Sequence, residues 1–226
     1  MLWANTSVVR TVPFLTRMRV VAFLALVTGG CGGNASVESD QAPVTSVAVA
    51  PVDTGLGKVV GTAPAVTRGI LSIVLLDPVA DIEVPLPEEV PVMDQFGRMF
   101  NPAFLLVRTG QTVRFTNSED ELHTVHVMDS GGESLFNVAT LFGSRYEYTF
   151  ALADDYKVVC DSHTEMAADI MVVSSPYAVV ADTDGAFTLL DVAPGIYKVT
   201  LLKGGERYEL DLEIVAGHNQ LDLTTL

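Results

Sequence analysis

Beyond residue 57 the chain is a series of short β-branched or alternating apolar and polar runs, each stopped by Gly, Pro, Asn or Asp. Alternation with a period of two sends successive side chains to opposite faces of a strand. The pattern predicts strands over 58–61, 70–76, 105–107, 112–115, 124–128, 146–150, 156–160, 170–173, 186–189, 196–202 and 208–215. No stretch sustains the apolar stripe of an amphipathic helix. Short strands at regular spacing, separated by turn signals, predict an all-β fold built of β-sandwiches.

The first residues follow another pattern. Residues 1–30 contain no acid, carry Arg10, Arg17 and Arg19, and lead through the apolar run Val20–Val27 into Thr28-Gly-Gly-Cys31. A basic stretch, a short apolar stretch and small residues before a cut read as a secretory signal, and the run is too short to span a bilayer. The segment resembles a bacterial lipoprotein signal, which implies that Cys31 is the lipidated first residue of the mature chain. The alternative is an ordinary cleaved signal that leaves Cys31 as a free thiol; Met18 as the true start also leaves a basic leader. Residues 31–56 are rich in small and polar residues without periodicity and read as a flexible linker.

Composition narrows the function. The 226 residues are 49% apolar and 18% charged, with 13 basic against 28 acidic side chains and a formal charge of −15. Cleavage before Cys31 removes three arginines and no acid, making the mature chain more negative still. Nucleic-acid binding is excluded as an expectation, because phosphate contacts need basic groups. Disorder throughout is excluded by the scarcity of charge and the supply of core residues. Two cysteines cannot form a disulfide scaffold, and an exported chain meets an oxidising medium, so Cys160 needs its own explanation.

Candidate chemistry gathers in two stretches. Cys160-Asp-Ser-His163-Thr-Glu-Met166 places Cys, His and Met at C-x2-H-x2-M between two predicted strands, and Asn117-Ser-Glu-Asp-Glu-Leu-His123 places a second histidine after a short acidic loop. A thiolate, two imidazoles and a thioether form a donor set that accommodates both copper oxidation states. Zinc is the rival metal, disfavoured by the methionine. A Cys–His nucleophilic pair lacks a recognisable orienting group or oxyanion motif. Cys160 alone also reads as a buried structural thiol. His126, three residues after His123, points to the opposite face of a strand and reads as a surface or supporting histidine. His218 reads as a solvated loop residue, and Glu119, Asp120 and Glu121 as a solvated turn.

At these residues the chain resembles the cupredoxins, the blue-copper proteins, with the loop spacing of amicyanin. A longer stretch is similar to cupredoxin-like methylamine-utilisation proteins: Met93-Asp-Gln95, Phe100-x-Pro102, Val107-x-x-Gly110-x-x-Val113-x-Phe115-x-Asn117, His123-x-Val125 and Cys160-x-x-His163-x-x-Met166. The resemblance implies a Greek-key β-sandwich over 89–174 holding one mononuclear copper ion on His123, Cys160, His163 and Met166. Glu165 is the alternative to Met166. The family commonly has Asn after the first histidine, where its side chain braces the ligand loop; Thr124 stands here, so its hydroxyl is the candidate brace. Asn117, Thr124 and His126 are candidates to support the ligands. Ser162 and Thr164 replace the proline common in the loop.

Tyr177 to Val199 alternates about Asp184-Gly185 and Pro194-Gly195 and resembles the second half of the carboxypeptidase regulatory-like, transthyretin-like β-domain. The first half of that domain corresponds to residues 57–88, ahead of the cupredoxin-like stretch, so the second sandwich, 57–88 and 175–226, is expected to be split around it. A tandem arrangement is the alternative. Together these readings predict a lipid-anchored copper protein of the bacterial periplasm or cell surface. It would carry single electrons to or from a cytochrome or another copper protein with a basic docking face. Copper storage or delivery, or a structural lipoprotein with a vestigial site, are the alternatives. An enzyme is disfavoured because four protein donors leave no open position for substrate.

Overall fold

The computed structural model describes residues 55–226, so the signal segment, Cys31 and all but the end of the linker lie outside the described residues. In chain order the strands are β1 (Gly57–Thr62), β2 (Ser72–Pro78), β3 (Val92–Gln95), β4 (Phe100–Asn101), β5 (Phe104–Arg108), β6 (Thr112–Asn117), β7 (His123–Met128) and β8 (Ser134–Thr140). They continue with β9 (Arg145–Thr149), β10 (Asp154–Val159), β11 (Ala167–Val173), β12 (Tyr177–Val180), β13 (Ala186–Val192), β14 (Gly195–Lys203), β15 (Glu206–Ile214) and β16 (Gly217–Asp222). The described chain is all-β, and no helix in it is long and apolar enough to cross a membrane.

Four sheets make two sandwiches. Sheets β4-β3-β6-β9 and β5-β11-β10-β7-β8 close over a core that includes Met93, Val113, Phe115, Val125, Phe150, Tyr156 and Ile170. Sheets β13-β1-β16 and β12-β2-β14-β15 close over Val59, Val74, Leu76, Phe187, Tyr197, Leu201 and Leu221. The first two strands of the chain therefore pair with the last five, while β3 to β11 pair among themselves.

The apolar run in β2 has a physical reason. Val74 and Leu76 point into their own sandwich, whereas Ile73 and Leu75 turn outward and are buried as well. They pack with Val173, Phe104, Leu106, Met171, Ala178, Val180 and Leu202 in a third apolar cluster that joins the two sandwiches. A strand buried on both faces loses its alternation. Arg108, at the end of β5, donates to the carbonyls of Pro85 (2.7 Å) and Val84 (3.0 Å) and fastens the segment that leads into β3.

Strands β3, β4, β8, β12 and β16 lie outside the predicted runs. In β3 and β16 a polar residue occupies an inward position, Gln95 in one and Asn219 in the other, and both are buried. His218, read as a loop residue, is an exposed member of β16 paired beside Lys58.

Candidate metal centre

Strand order brings the two chemical stretches together. β7 and β10 are antiparallel neighbours with Val159 opposite His126, so the start of β7 lies alongside the residues that follow β10. His123 opens β7 and Cys160 comes directly after β10, while the turn back into β11 carries His163 and Met166. The loop is closed on itself: the Met166 N–H donates to the His163 carbonyl (3.0 Å) and the Cys160 N–H to the Met166 carbonyl (3.2 Å).

Three donors converge. Cys160 Sγ lies 3.8 Å from Nδ1 of His123 and 3.8 Å from Nδ1 of His163, and the two Nδ1 atoms are 3.0 Å apart. His123 is fully buried, Cys160 is 2% exposed, and the His163 side chain is 17% exposed, so a single imidazole edge reaches toward solvent. Met166 is buried in the same core cluster as Cys160, whereas Glu165 is exposed.

The far edge of each ring meets a carboxylate. Glu119 Oε2 lies 3.2 Å from His123 Nε2, and Glu121 Oε2 lies 3.3 Å from His163 Nε2. Nε2 of His123 is within hydrogen-bond range of Glu119 and Nε2 of His163 within ion-pair range of Glu121, and both Nδ1 atoms face the sulfur. The sulfur and the two ring nitrogens lie within 4.8 Å of one another, a separation at which one metal ion can meet all three. Soft sulfur with two imidazoles suits a transition metal rather than calcium or magnesium.

Glu119 and Glu121 are thus no mere solvated turn; only Asp120 of the three faces water freely. Asn117 shapes their loop. Its amide donates to the carbonyls of Glu121 (2.8 Å) and Thr140 (2.9 Å), and its Oδ1 accepts the Glu119 N–H (2.8 Å). Arg98 holds the loop from the other side. It donates through Nε and Nη2 to the two oxygens of Glu121 (3.1 and 3.0 Å), and its backbone N–H donates to Glu119 (3.0 Å). The Arg98 hydrogen bond is the main reason the Glu121 carboxyl sits below its ordinary range. Arg98 has φ 54° next to Gly97 at φ 63°, a turn of the I′ kind in which a side-chain-bearing residue pays about 1 kcal/mol or more.

The sulfur has its own partners. The Thr124 N–H donates to Sγ (3.3 Å), its hydroxyl lies 3.8 Å from Sγ, and the same hydroxyl accepts the Asp161 N–H (2.7 Å). The Thr124 hydroxyl therefore joins β7 to the ligand loop. Gln95, fully buried, donates to the Thr124 carbonyl (2.9 Å) and accepts from the Thr140 hydroxyl (2.5 Å). His126 stands apart from the donors: its Nδ1 is 3.1 Å from Asp161 and its Nε2 is 3.1 Å from Ser134. Asp161 also accepts from Asn137 (2.5 Å), and these bonds hold its carboxyl below its usual range. Sequence reasoning missed Gln95 and Thr140 as supports, because neither β3 nor β8 was among the predicted strands.

No protein-family model and no curated protein matches the chain. Among solved structures, the purple cupredoxin from Nitrosopumilus maritimus is 24% identical over 36% of this chain and 98% of its own, with a TM-score of 0.33. A single-residue variant of amicyanin in its reduced state is 26% identical over 38% of this chain and 85% of its own, with a TM-score of 0.35. The copper-containing nitrite reductase NirK from Thermus scotoductus SA-01 is 28% identical over 42% of this chain and 25% of its own, with a TM-score of 0.35.

Proposed function

We propose that this is a single-copper electron carrier of the cupredoxin kind, exported and held at a membrane surface through lipid on Cys31. The observation that carries the reading is the meeting of the Cys160 sulfur with the Nδ1 atoms of His123 and His163, each 3.8 Å from it. Copper, when bound, supplies a one-electron couple. The chain's residues do the rest. Cys160, His123 and His163 supply donors, and the buried Met166 on the same loop is the candidate fourth. Thr124 and Gln95 hold the loop and the sulfur against β7, which limits rearrangement between oxidation states.

His163, the donor nearest solvent, is the natural port for the electron. The excess of acid favours a partner with a basic face, and attraction of that kind weakens as salt rises. Reconstitution of the full chain with Cu(II) tests the reading. One equivalent of copper should bind with an intense visible thiolate-to-copper band that is bleached by reduction and restored by oxidation. A chain that takes up no copper, or that binds it without this band, refutes the proposal.

A further inference from the structure

Arg98 binds the carboxylates behind both imidazoles. The Arg98 backbone N–H binds Glu119, the carboxylate behind His123, and the Arg98 guanidinium binds Glu121, the carboxylate behind His163. The two anchorages differ in kind. His123 is already enclosed by the core, whereas the His163 side chain is part-exposed on a short loop that contains Ser162 and Thr164. Packing alone leaves His163 the less constrained donor. The left-handed φ of 54° at Arg98 directs both its N–H and its side chain toward the acidic loop, a conformation few non-glycine residues adopt.

We propose that Arg98 and Glu121 form a clamp that orients His163 as a metal donor. Arg98 fixes the carboxylate with two hydrogen bonds, and the carboxylate, 3.3 Å from His163 Nε2, favours the proton at that nitrogen, so Nδ1 turns toward Cys160. Both are positioning residues, since neither is among the donors. The clamp rests on the copper reading for its consequence, but the orientation of His163 belongs to the metal-free chain as well. It also places a carboxylate and a guanidinium at the imidazole edge through which the electron passes, so a docking partner meets a charge pair there rather than bare imidazole.

The test compares the full-length chain with Arg98→Asn, Glu121→Ala and the double variant. Asn tolerates the left-handed turn and retains the N–H that serves Glu119. In the metal-free proteins, nitrogen-15 NMR of the rings should show His163 as the Nε2–H tautomer in the parent and a mixture of tautomers in all three variants. In the copper-loaded proteins, release to a chelator should quicken about tenfold for Glu121→Ala, as for other residues that support a ligand. Arg98→Asn should quicken it about threefold, because it acts through an exposed pair, and the double variant should match Glu121→Ala. The midpoint potential should fall without Arg98 and rise without Glu121, since a nearby positive charge favours the reduced ion and a negative charge the oxidised one. Simple loosening of the loop has no reason to move the two in opposite directions.

Unchanged tautomers in the variants overturn the clamp, and so do parent-like release rates and potentials. Failure of the parent to bind copper refutes the proposed function instead, and the tautomer measurement then decides the clamp by itself.

Discussion

The two sandwiches have similar apolar cores but use buried polar side chains differently. In the sandwich of β1, β2 and β12 to β16, such groups close local structure. Asn219 bonds to Val215 four residues away, Thr200 meets Arg207 seven away, and Ser72 donates to Pro64 eight away. In the sandwich of β3 to β11 they join distant elements. Thr140 meets Gln95 across 45 residues, Gln95 reaches Thr124 across 29, and Asn117 reaches Thr140 across 23. An unmatched buried polar group costs about 1–3 kcal/mol, and the first sandwich shows that a β-sandwich folds without a long-range network of this kind. Its concentration around His123 is what a prearranged donor site requires.

The largest expected contrast comes from Cys160→Ser. It should abolish the visible copper band completely while leaving the circular dichroism of the metal-free chain unchanged. A band that survives would place the sulfur elsewhere. Next is Leu76→Ala, a cavity in the other core, expected to destabilise by about 2–5 kcal/mol in denaturant unfolding without altering the band of the folded, loaded protein. An altered band would mean that the two sandwiches are coupled through the shared cluster at Ile73, Leu75 and Val173.

Gln95→Leu sharpens the comparison further. It strands the Thr124 carbonyl and the Thr140 hydroxyl, so it should cost about 1–3 kcal/mol and also quicken copper release. Asn219→Ala should cost about 1 kcal/mol and leave release untouched. Equal release rates in both variants would remove the distinction between site-building and turn-building polar groups.

The smallest effect is at Tyr197, whose phenol donates to the Ala193 carbonyl (2.7 Å) and is pushed up to about 12, chiefly by burial. Here the folded state holds its proton more tightly than the unfolded chain does. The stabilisation is therefore complete below about pH 10 and lost as pH climbs from there toward about 12. Tyr197→Phe should lose about 1 kcal/mol at neutral pH and flatten this alkaline decline in thermal unfolding curves. A decline as steep as the parent's would assign it to another group.

The all-β class and most strands were legible because alternation and Gly, Pro and Asp punctuation are local signals. The nearness of Cys160 and His163 was legible through spacing, since they lie with Met166 on one short loop. Of the supporting residues, Asn117 and Thr124 were named from the sequence, whereas Gln95, Arg98, Glu119 and Glu121 were not. Gln95, at the end of β3, breaks the apolar alternation that marks a strand, because it faces inward to bond rather than to exclude water. Glu119 and Glu121 look like any acidic turn until Arg98, some twenty residues earlier, is seen against them. Long-range pairing of that kind leaves no periodicity in one sequence. The double burial of β2 likewise depends on a partner sheet that its own residues do not name.

The most direct measurement is X-ray absorption at the copper edge of the loaded full-length chain. One sulfur at short thiolate distance and two imidazole nitrogens around the ion are expected, with the sulfur shell lost in Cys160→Ser. A coordination shell of nitrogen and oxygen alone in the parent protein would contradict a centre built on Cys160, His123 and His163.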